Sequence, residues 1–340
     1  MTRPASAAQV LVLLLALALL LTGALILATS FGAGEVSWRS AWTSLRTPEQ
    51  TILWQVRLPR VLLAALLGAA LSVAGVAFQA LLRNPLADPY ILGVSGGASI
   101  GGVVAMLLGL GGGVGLGAVV GVPLFAFAGA LVALVLIEWV ATVDGQLGVY
   151  TVLLTGAVFN AFSAALIYFV QSVASLEQLH AIVFYLMGSV PSHGYALLGS
   201  LGALAAAATL ALFAMARDYN ALSLGEQGAT QLGVDVERVK RLTFVLGSLL
   251  TAMAVSVAGL IGFVGLVVPH VLRLVLGADH RQLIPAAALG GAIFLVLADL
   301  VARLAVQPNE LPVGVVTALV GGPFFLWLLR RRGQRRGWGA

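Results

Sequence analysis

The run from Ala7 to Ala28 holds no charged side chain, and similar apolar runs recur to the end of the chain. A helix needs about 20 such residues to cross about 30 Å of hydrocarbon, so this pattern constrains the fold more than any motif. Further windows of that kind lie near 58–82, 91–110, 115–141, 149–172, 193–216, 240–260, 263–277, 285–306 and 311–330. With the first run they make about ten spans, of which 263–277 is short. The cut between the seventh and eighth rests only on Gly259, Gly262 and Gly265. A cleaved signal peptide has an apolar region of about 7–15 residues, so the longer first run is read as a retained span.

Only 9% of the 340 residues are charged and 60% are hydrophobic, with a mean hydropathy of +1.05. A soluble domain carries about 25% charged residues, so most of this surface faces lipid. The expected architecture is an all-α polytopic membrane protein forming one transmembrane domain over 1–340. The absence of cysteine removes disulfides, thiolate metal sites, iron–sulfur clusters and cysteine nucleophiles. The net charge of +5 comes from basic residues that punctuate apolar runs and form no stripe, which argues against nucleic acid.

Placement of those basic residues sets the orientation. With the N-terminus inside, thirteen fall on the inner side: Arg3, Arg83, Arg217, Arg238, Lys240, Arg241, Arg273, Arg281, Arg330, Arg331, Arg332, Arg335 and Arg336. Arg39, Arg46, Arg57, Arg60 and Arg303 fall outside. Both termini are therefore expected in the cytoplasm. Two polar stretches interrupt the spans. Residues 31–56, outside, carry Trp38, Trp42 and Trp54, as suits an amphipathic segment at an interface. Residues 217–239, inside, form the longest polar stretch on that side.

The tetrapeptide SVAG occurs at 72–75 and again at 256–259. Aligning the copies pairs Pro85 with Pro269 and Leu92-Gly93 with Leu276-Gly277. The first copy lies on an inward-going span and the second on an outward-going one, which is an inverted repeat of the kind found in transporters.

The stretch Leu81 to Gly97, LLRNPLADPYILGVSGG, contains the G-x-S-x-G pattern at Gly93–Gly97. A hydrolase elbow needs a strand–turn–helix setting and an activated serine. Membrane helices flank Ser95 here, and no motif brings His270 to it. Gly93, Gly96, Gly97 and Gly101 instead have the small-residue spacing of close helix packing. The stretch reads as the inner turn between the second and third spans. ATP hydrolysis within the chain would need G-x-x-x-x-G-K-[ST], but Lys240, the only lysine, follows Val239. An ATP-driven function requires a partner subunit.

Asp299 and Arg303 stand one helical turn apart near the outer end of the ninth span, suited either to a local i,i+4 pair or to a pathway role. Arg57 and Arg60 sit at the outer mouth of the second span. Snorkelling explains each singly; convergence with Arg303 would make a positive patch for an acidic partner. Glu138 and Asp144 read as solvated span ends. The inner segment SLGEQGATQLGV is expected to form two short helical turns separated at Gly228 and Gly233, either a plain connector or a knob that inserts into another protein.

Four blocks, RLPRVLLAALLGAALSVAGVAFQALLRNPLADPYILGVSGGASIGG, SLGEQGATQLGV, GFVGLVVPHVLRLVLGADHRQLIPAAALGGAIFLVLADLVAR and ELPVGVVTALVGGPFFLWLL, together resemble the permease subunits of ABC importers for iron–siderophore complexes, heme and vitamin B12. The likeness runs from about Arg57 to Arg332. It implies the ten-span fold of the vitamin B12 permeases and a homodimer with its pathway between the copies. It also implies two cytoplasmic ATP-binding subunits that carry ATP and Mg, and a periplasmic or lipid-anchored substrate-binding protein. This chain would bind no cofactor of its own.

By position, Arg57, Arg60 and Arg303 match the family's outer arginines that meet the binding protein. Ser223, Leu224, Gly225, Glu226, Gln227, Gly228, Ala229, Gln231, Leu232, Gly233 and Val234 match its coupling helices. The fifth span, with Thr155, Asn160 and Ser163, and the tenth, from Leu311 and Pro312, would line the pathway. Apolar, weakly gripping walls suit a large chelate that must be released; affinity would reside in the binding protein. The rival reading, a self-contained ion-coupled transporter, expects midplane acids or a proton-relay histidine. Asp299 is the only deep acid.

Overall fold

The computed structural model describes residues 7–32, 48–110 and 116–335. Trp38, Trp42, Arg3, Arg39, Arg46 and Arg336 lie outside them, as do the side chains of 331–335. Among the described residues, apart from one two-stranded hairpin, β1 (Thr142–Val143) with β2 (Gln146–Leu147), the regular elements are helices. In chain order they are α1 (Ala7–Ser30), α2 (Pro48–Leu81), α3 (Val94–Leu107), α4 (Leu116–Ala141), α5 (Val149–Val173), α6 (Leu176–Met187) and α7 (Tyr195–Ala214). Then follow α8 (Ala216–Leu222), α9 (Glu226–Gln231), α10 (Val236–Ala258), α11 (Val264–Leu276), α12 (His280–Leu304) and α13 (Val313–Arg335).

Seven of these helices are long and apolar enough to cross a membrane: α1, α2, α4, α5, α7, α10 and α12. The shorter α3, α11 and the apolar part of α13 fall where the third, eighth and tenth spans were expected. With 14 and 13 residues, α3 and α11 reach only about 20 Å. Short, broken helices persist at membrane depth where protein surrounds them and satisfies the freed backbone groups. Most of α3 and α11 is accordingly buried.

The expected inverted repeat is present. In each half a long helix (α2, α10) leads through a non-helical connection, which in the first half carries a 3-10 turn, into a short one (α3, α11) and then a long one (α4, α12). Both short helices start from a left-handed residue, Gly93 and Phe263. Arg83, just past α2, and Lys240, in the first turns of α10, reach the same Glu226. Hence α2 and α10 run in opposite directions. The SVAG tetrapeptides do not give the register of this repeat. Ser72–Gly75 lie inside α2, whereas Ser256–Ala258 end α10 and Gly259, at φ +69°, caps it.

The halves interlock through glycines. A Cβ on Gly75 would overlap the carbonyl of Gly265, and one on Gly68 that of Gly291. The α2 backbone can lie against α11 and α12 only because neither side carries a side chain there. Gln79 crosses the same seam, its Nε2 donating to Gly265 O at 3.2 Å.

Two elements depart from the span pattern. The second span is longer than expected, because the helix begins at Pro48 and passes through a π-helical segment, Ile52–Arg57. Hydroxyls from the segment before and at the start of α7 cap its carbonyls: Ser192 Oγ donates to Gln55 O and Val56 O at 3.2 and 3.1 Å, and Tyr195 Oη to Trp54 O at 2.5 Å. The other is α6, set off by a capping box at Ser175 and Gln178. Twelve residues with Glu177 and His180 among them escape any search for twenty-residue apolar windows.

Candidate functional site

The arginine face. At one end of the bundle α2 begins and α12 ends, so Arg57, Arg60, Asp299 and Arg303 come together. Arg60 donates Nε and Nη2 to Asp299 Oδ1 at 3.1 and 2.9 Å, and Nη1 to Glu310 Oε2 at 2.7 Å. Arg303 Nε lies 3.0 Å from Asp299 Oδ2, so the i,i+4 pair forms, but as one arm of a larger cluster. The other donors of Arg303 serve the C-terminal end of α1: Nη2 to Ala28 O in its last turn at 2.9 Å and Nη1 to Phe31 O just beyond it at 3.0 Å. Arg57 Nη1 donates to Ser30 O at 3.2 Å. Helix ends leave carbonyls unsatisfied, and cations near a C-terminus also meet the favourable end of the dipole. Both guanidiniums thus cap α1.

Arg57 and Arg303 are buried, while the side chain of Arg60 is 16% exposed and Glu310 43%. The three arginines converge, but not as a bare positive patch. Asp299 and Glu310 offset two of the three charges, and Arg60 is the member that reaches the surface. Glu310 was missed in the sequence, because it follows a cluster of turn residues and belongs to no span.

The Glu226 face. At the opposite end the 217–239 segment folds as α8 and α9 separated by Ser223–Gly225. The breaks fall at Gly225 and Gly233, both with positive φ (+101° and +84°). Gly228 lies inside α9, not at a break, because its position within the turn needs no special backbone. Glu226 ties α9 down through Arg83 (3.9 Å) and Lys240 (3.5 Å), and Lys240 also pairs with Glu237. Glu237 accepts from Leu147 N at 2.8 Å, and Glu138 meets Arg241 at 3.3 Å. Glu138 therefore tethers α4 to α10 instead of standing free. Ala229 is buried, while Leu224 and Leu232, 70% and 64% exposed, bracket α9 on the outside. Behind it, α8 is fastened by Tyr219, whose Oη lies 2.9 Å from Thr243 Oγ1. Asp279 accepts from Asn220 and Arg281, and the Arg281 guanidinium holds its carboxyl well below the usual range.

The junction between the halves. Leu81–Gly97 forms the turn after α2, a 3-10 segment Pro89–Leu92 and the start of α3. Tyr90 is its hub: its N donates to Asp88 Oδ1 (2.8 Å), its carbonyl accepts from Asn160 Nδ2 (2.9 Å) and Ser95 Oγ (3.3 Å), and its Oη accepts from Ile261 N (3.0 Å). Ser95 is a buried packing residue, and Gly96 and Gly97 lie against α5 and α4. Burial pushes the Asp88 carboxyl up to about 6, against the pull of backbone donors from Tyr90 and Phe263.

Asn160 reaches Tyr90, and Ser163 is buried with its hydroxyl on Phe159 O at 2.7 Å. Both therefore face the chain's own core in this conformation, because they lie on the side of α5 that packs on α3. Thr155 is partly buried, and the opposite side of α5 exposes Leu154, Val158 and Phe162. Leu311 and Pro312, partly buried, lead into α13, with Leu311 N on Ala302 O at 3.0 Å.

This architecture of two inverted helix repeats with a short paired-helix segment at one end has close counterparts. The model of the FecCD transport family matches residues 16–331. The chain belongs to the FecCD transport family. A hemin transport system permease from Yersinia pestis is 39% identical over 91% of this chain and 92% of its own. A cobalamin import system permease from Halobacterium salinarum is 44% identical over 84% and 75%. The solved structure of a metal-chelate type ABC transporter in an inward-facing conformation aligns with a TM-score of 0.81 at 31% identity, covering 94% of this chain and 99% of that one. This FecCD-family chain is thus a multi-pass membrane permease of an ABC importer. The ion-coupled alternative is not supported: its candidate acid, Asp299, is locked between Arg60 and Arg303.

Proposed function

We propose that this permease passes an iron chelate, ferric siderophore or heme, or cobalamin into the cytoplasm, working as a homodimer in the inner membrane with two ATP-binding subunits and a substrate-binding protein. The supporting observation is the family match across residues 16–331, joined to the hemin and cobalamin permeases at 39% and 44% identity. An iron chelate is the favoured cargo. The Glu226 face is the cytoplasmic side, with both termini on it, and Ser223–Val234 is the coupling segment. Exposed Leu224 and Leu232 offer the apolar contact that a cleft in the ATP-binding subunit would bury.

The arginine face receives the binding protein, with Arg60 as the accessible cation and Arg57 and Arg303 holding α1 in place behind it. The pathway runs between two copies along α5 and the start of α13, from Leu311 and Pro312. Thr155 and the exposed side of α5 line it, and Asn160 and Ser163 anchor that helix from behind. ATP and Mg are held by the partner subunits.

Co-purification tests the reading. The tagged permease should bring down its ATP-binding subunits, and uptake of ferric siderophore, hemin or cobalamin should stop when those subunits are deleted. Uptake that continues without any cognate ATP-binding subunit would refute it.

A further inference from the structure

One link between α8, which leads into the coupling segment, and the start of α12 is a single amide side chain. Asn220, on α8, accepts the backbone N–H of His280 on its Oδ1 at 2.9 Å and donates Nδ2 to Asp279 Oδ1 at 2.8 Å. His280 Nδ1 lies 2.7 Å from the same Oδ1. The carboxylate of Asp279 can only accept, so the amide nitrogen faces it and the amide oxygen faces His280. His280 Nδ1 then carries the proton and donates. Asn220 thereby caps α12, supplementing Asp279, which accepts from Arg281 N at 3.0 Å. The joint is backed by an apolar wall: His280 and Tyr219 are buried, and their rings stack obliquely with centroids 5.5 Å apart, while Asn220 and Asp279 are partly exposed.

The helix that begins at this joint ends at the arginine face. From His280 to Asp299 and Arg303, α12 runs about 30 Å at 1.5 Å per residue. Pro285 interrupts its bonding near the joint, and beyond it the helix continues unbroken to Leu304. At its far end Asp299 holds Arg60, and Arg303 holds the last turn of α1.

We propose that Asn220 is the positioning residue that transmits movement of α8 and α9 to α12, and through α12 to the arginine cluster on the opposite face. The inference rests on the importer reading above. Only a side chain with one acceptor and one donor at this length satisfies both neighbours. Aspartate at 220 would set a carboxylate against Asp279, whose Oδ1 also accepts from Arg281 N; Asn220→Asp combined with Asp279→Ser places there a hydroxyl that donates to the new carboxylate and still accepts from Arg281 N.

The test uses the complete complex, permease with its ATP-binding subunits in liposomes, and reads the ratio of ATP hydrolysis with and without the cognate binding protein. Typical couplings between sites are worth about 5- to 150-fold. N220D should retain the ATP-binding subunits on purification yet lose at least about fivefold of the stimulation, and N220D/D279S should recover it. Stimulation of N220D at the wild-type level overturns the proposal. Should N220D fail to accumulate, the double variant decides. Wild-type stimulation supports the joint; absence of stimulation, or failure of the double variant to assemble, overturns it. If the wild-type permease itself retains no ATP-binding subunit, the importer reading fails and not the joint alone.

Discussion

Asp299→Asn isolates the energetics of the arginine face. Asp299 is 1% exposed and serves two guanidiniums, Arg60 at 2.9 Å and Arg303 at 3.0 Å. Removing its charge leaves Arg303, 3% exposed, without an anion. Breaking a buried pair from one side costs about 3–5 kcal/mol, because the remaining charge stays desolvated. The carbonyls of Ala28 and Phe31 would retain Arg303 through hydrogen bonds, which places the expected loss toward the lower bound, about 3 kcal/mol. Glu310→Gln provides the contrast, since its carboxylate is 43% exposed and solvent screens it to about 0–1 kcal/mol. Unfolding of the purified permease, titrated with denaturing detergent and followed by tryptophan fluorescence, measures both. If D299N and E310Q shift the midpoint equally, the cluster is not a desolvated clamp.

Three further outcomes follow from the same contacts. Gly75→Ala should destabilise by about 1–3 kcal/mol or more, as overpacking does, since its Cβ would overlap Gly265 O; expression and the unfolding midpoint report it, and an unchanged midpoint contradicts the close seam. Leu224→Asp with Leu232→Asp should abolish co-purification of the ATP-binding subunits while leaving the unfolding midpoint within about 0.5 kcal/mol of wild type, as exposed sites do; retained subunits would show that α9 docks elsewhere. The Asp88 carboxyl, raised to about 6, holds a proton in the folded chain that the unfolded chain releases near pH 4. Its stabilisation is therefore full below about pH 4 and lost as pH rises through about 6. Asp88→Asn should flatten that slope, and an identical pH profile in wild type and variant would exclude Asp88 as its source.

The membrane class, the positions of the spans and the small-residue seams were legible because each is a local pattern. Hydrocarbon thickness sets the length of an apolar run, and close packing needs glycine wherever it occurs. The clustered arginines could be named from their place at span ends. Whether they stand free or capped could not, because the carbonyls of Ala28 and Phe31 lie 275 and 272 positions from Arg303. The same distance in sequence hid the faces of α5: one residue of rotation decides whether Asn160 meets Tyr90 or an open pathway, and span membership carries no rotation.

Repeated SVAG suggested the inverted repeat, yet its register came from backbone events, the left-handed Gly93 and Phe263 that open the two short helices. Composition and the length of the apolar runs, then, determined that this chain crosses the membrane many times, and the repeated tetrapeptide pointed to two related halves. Only the tertiary structure decided which polar groups meet. In a low-dielectric bundle a buried charge must find its partner wherever the packing of distant helices places one, as Asp299 does with Arg60 and Arg303.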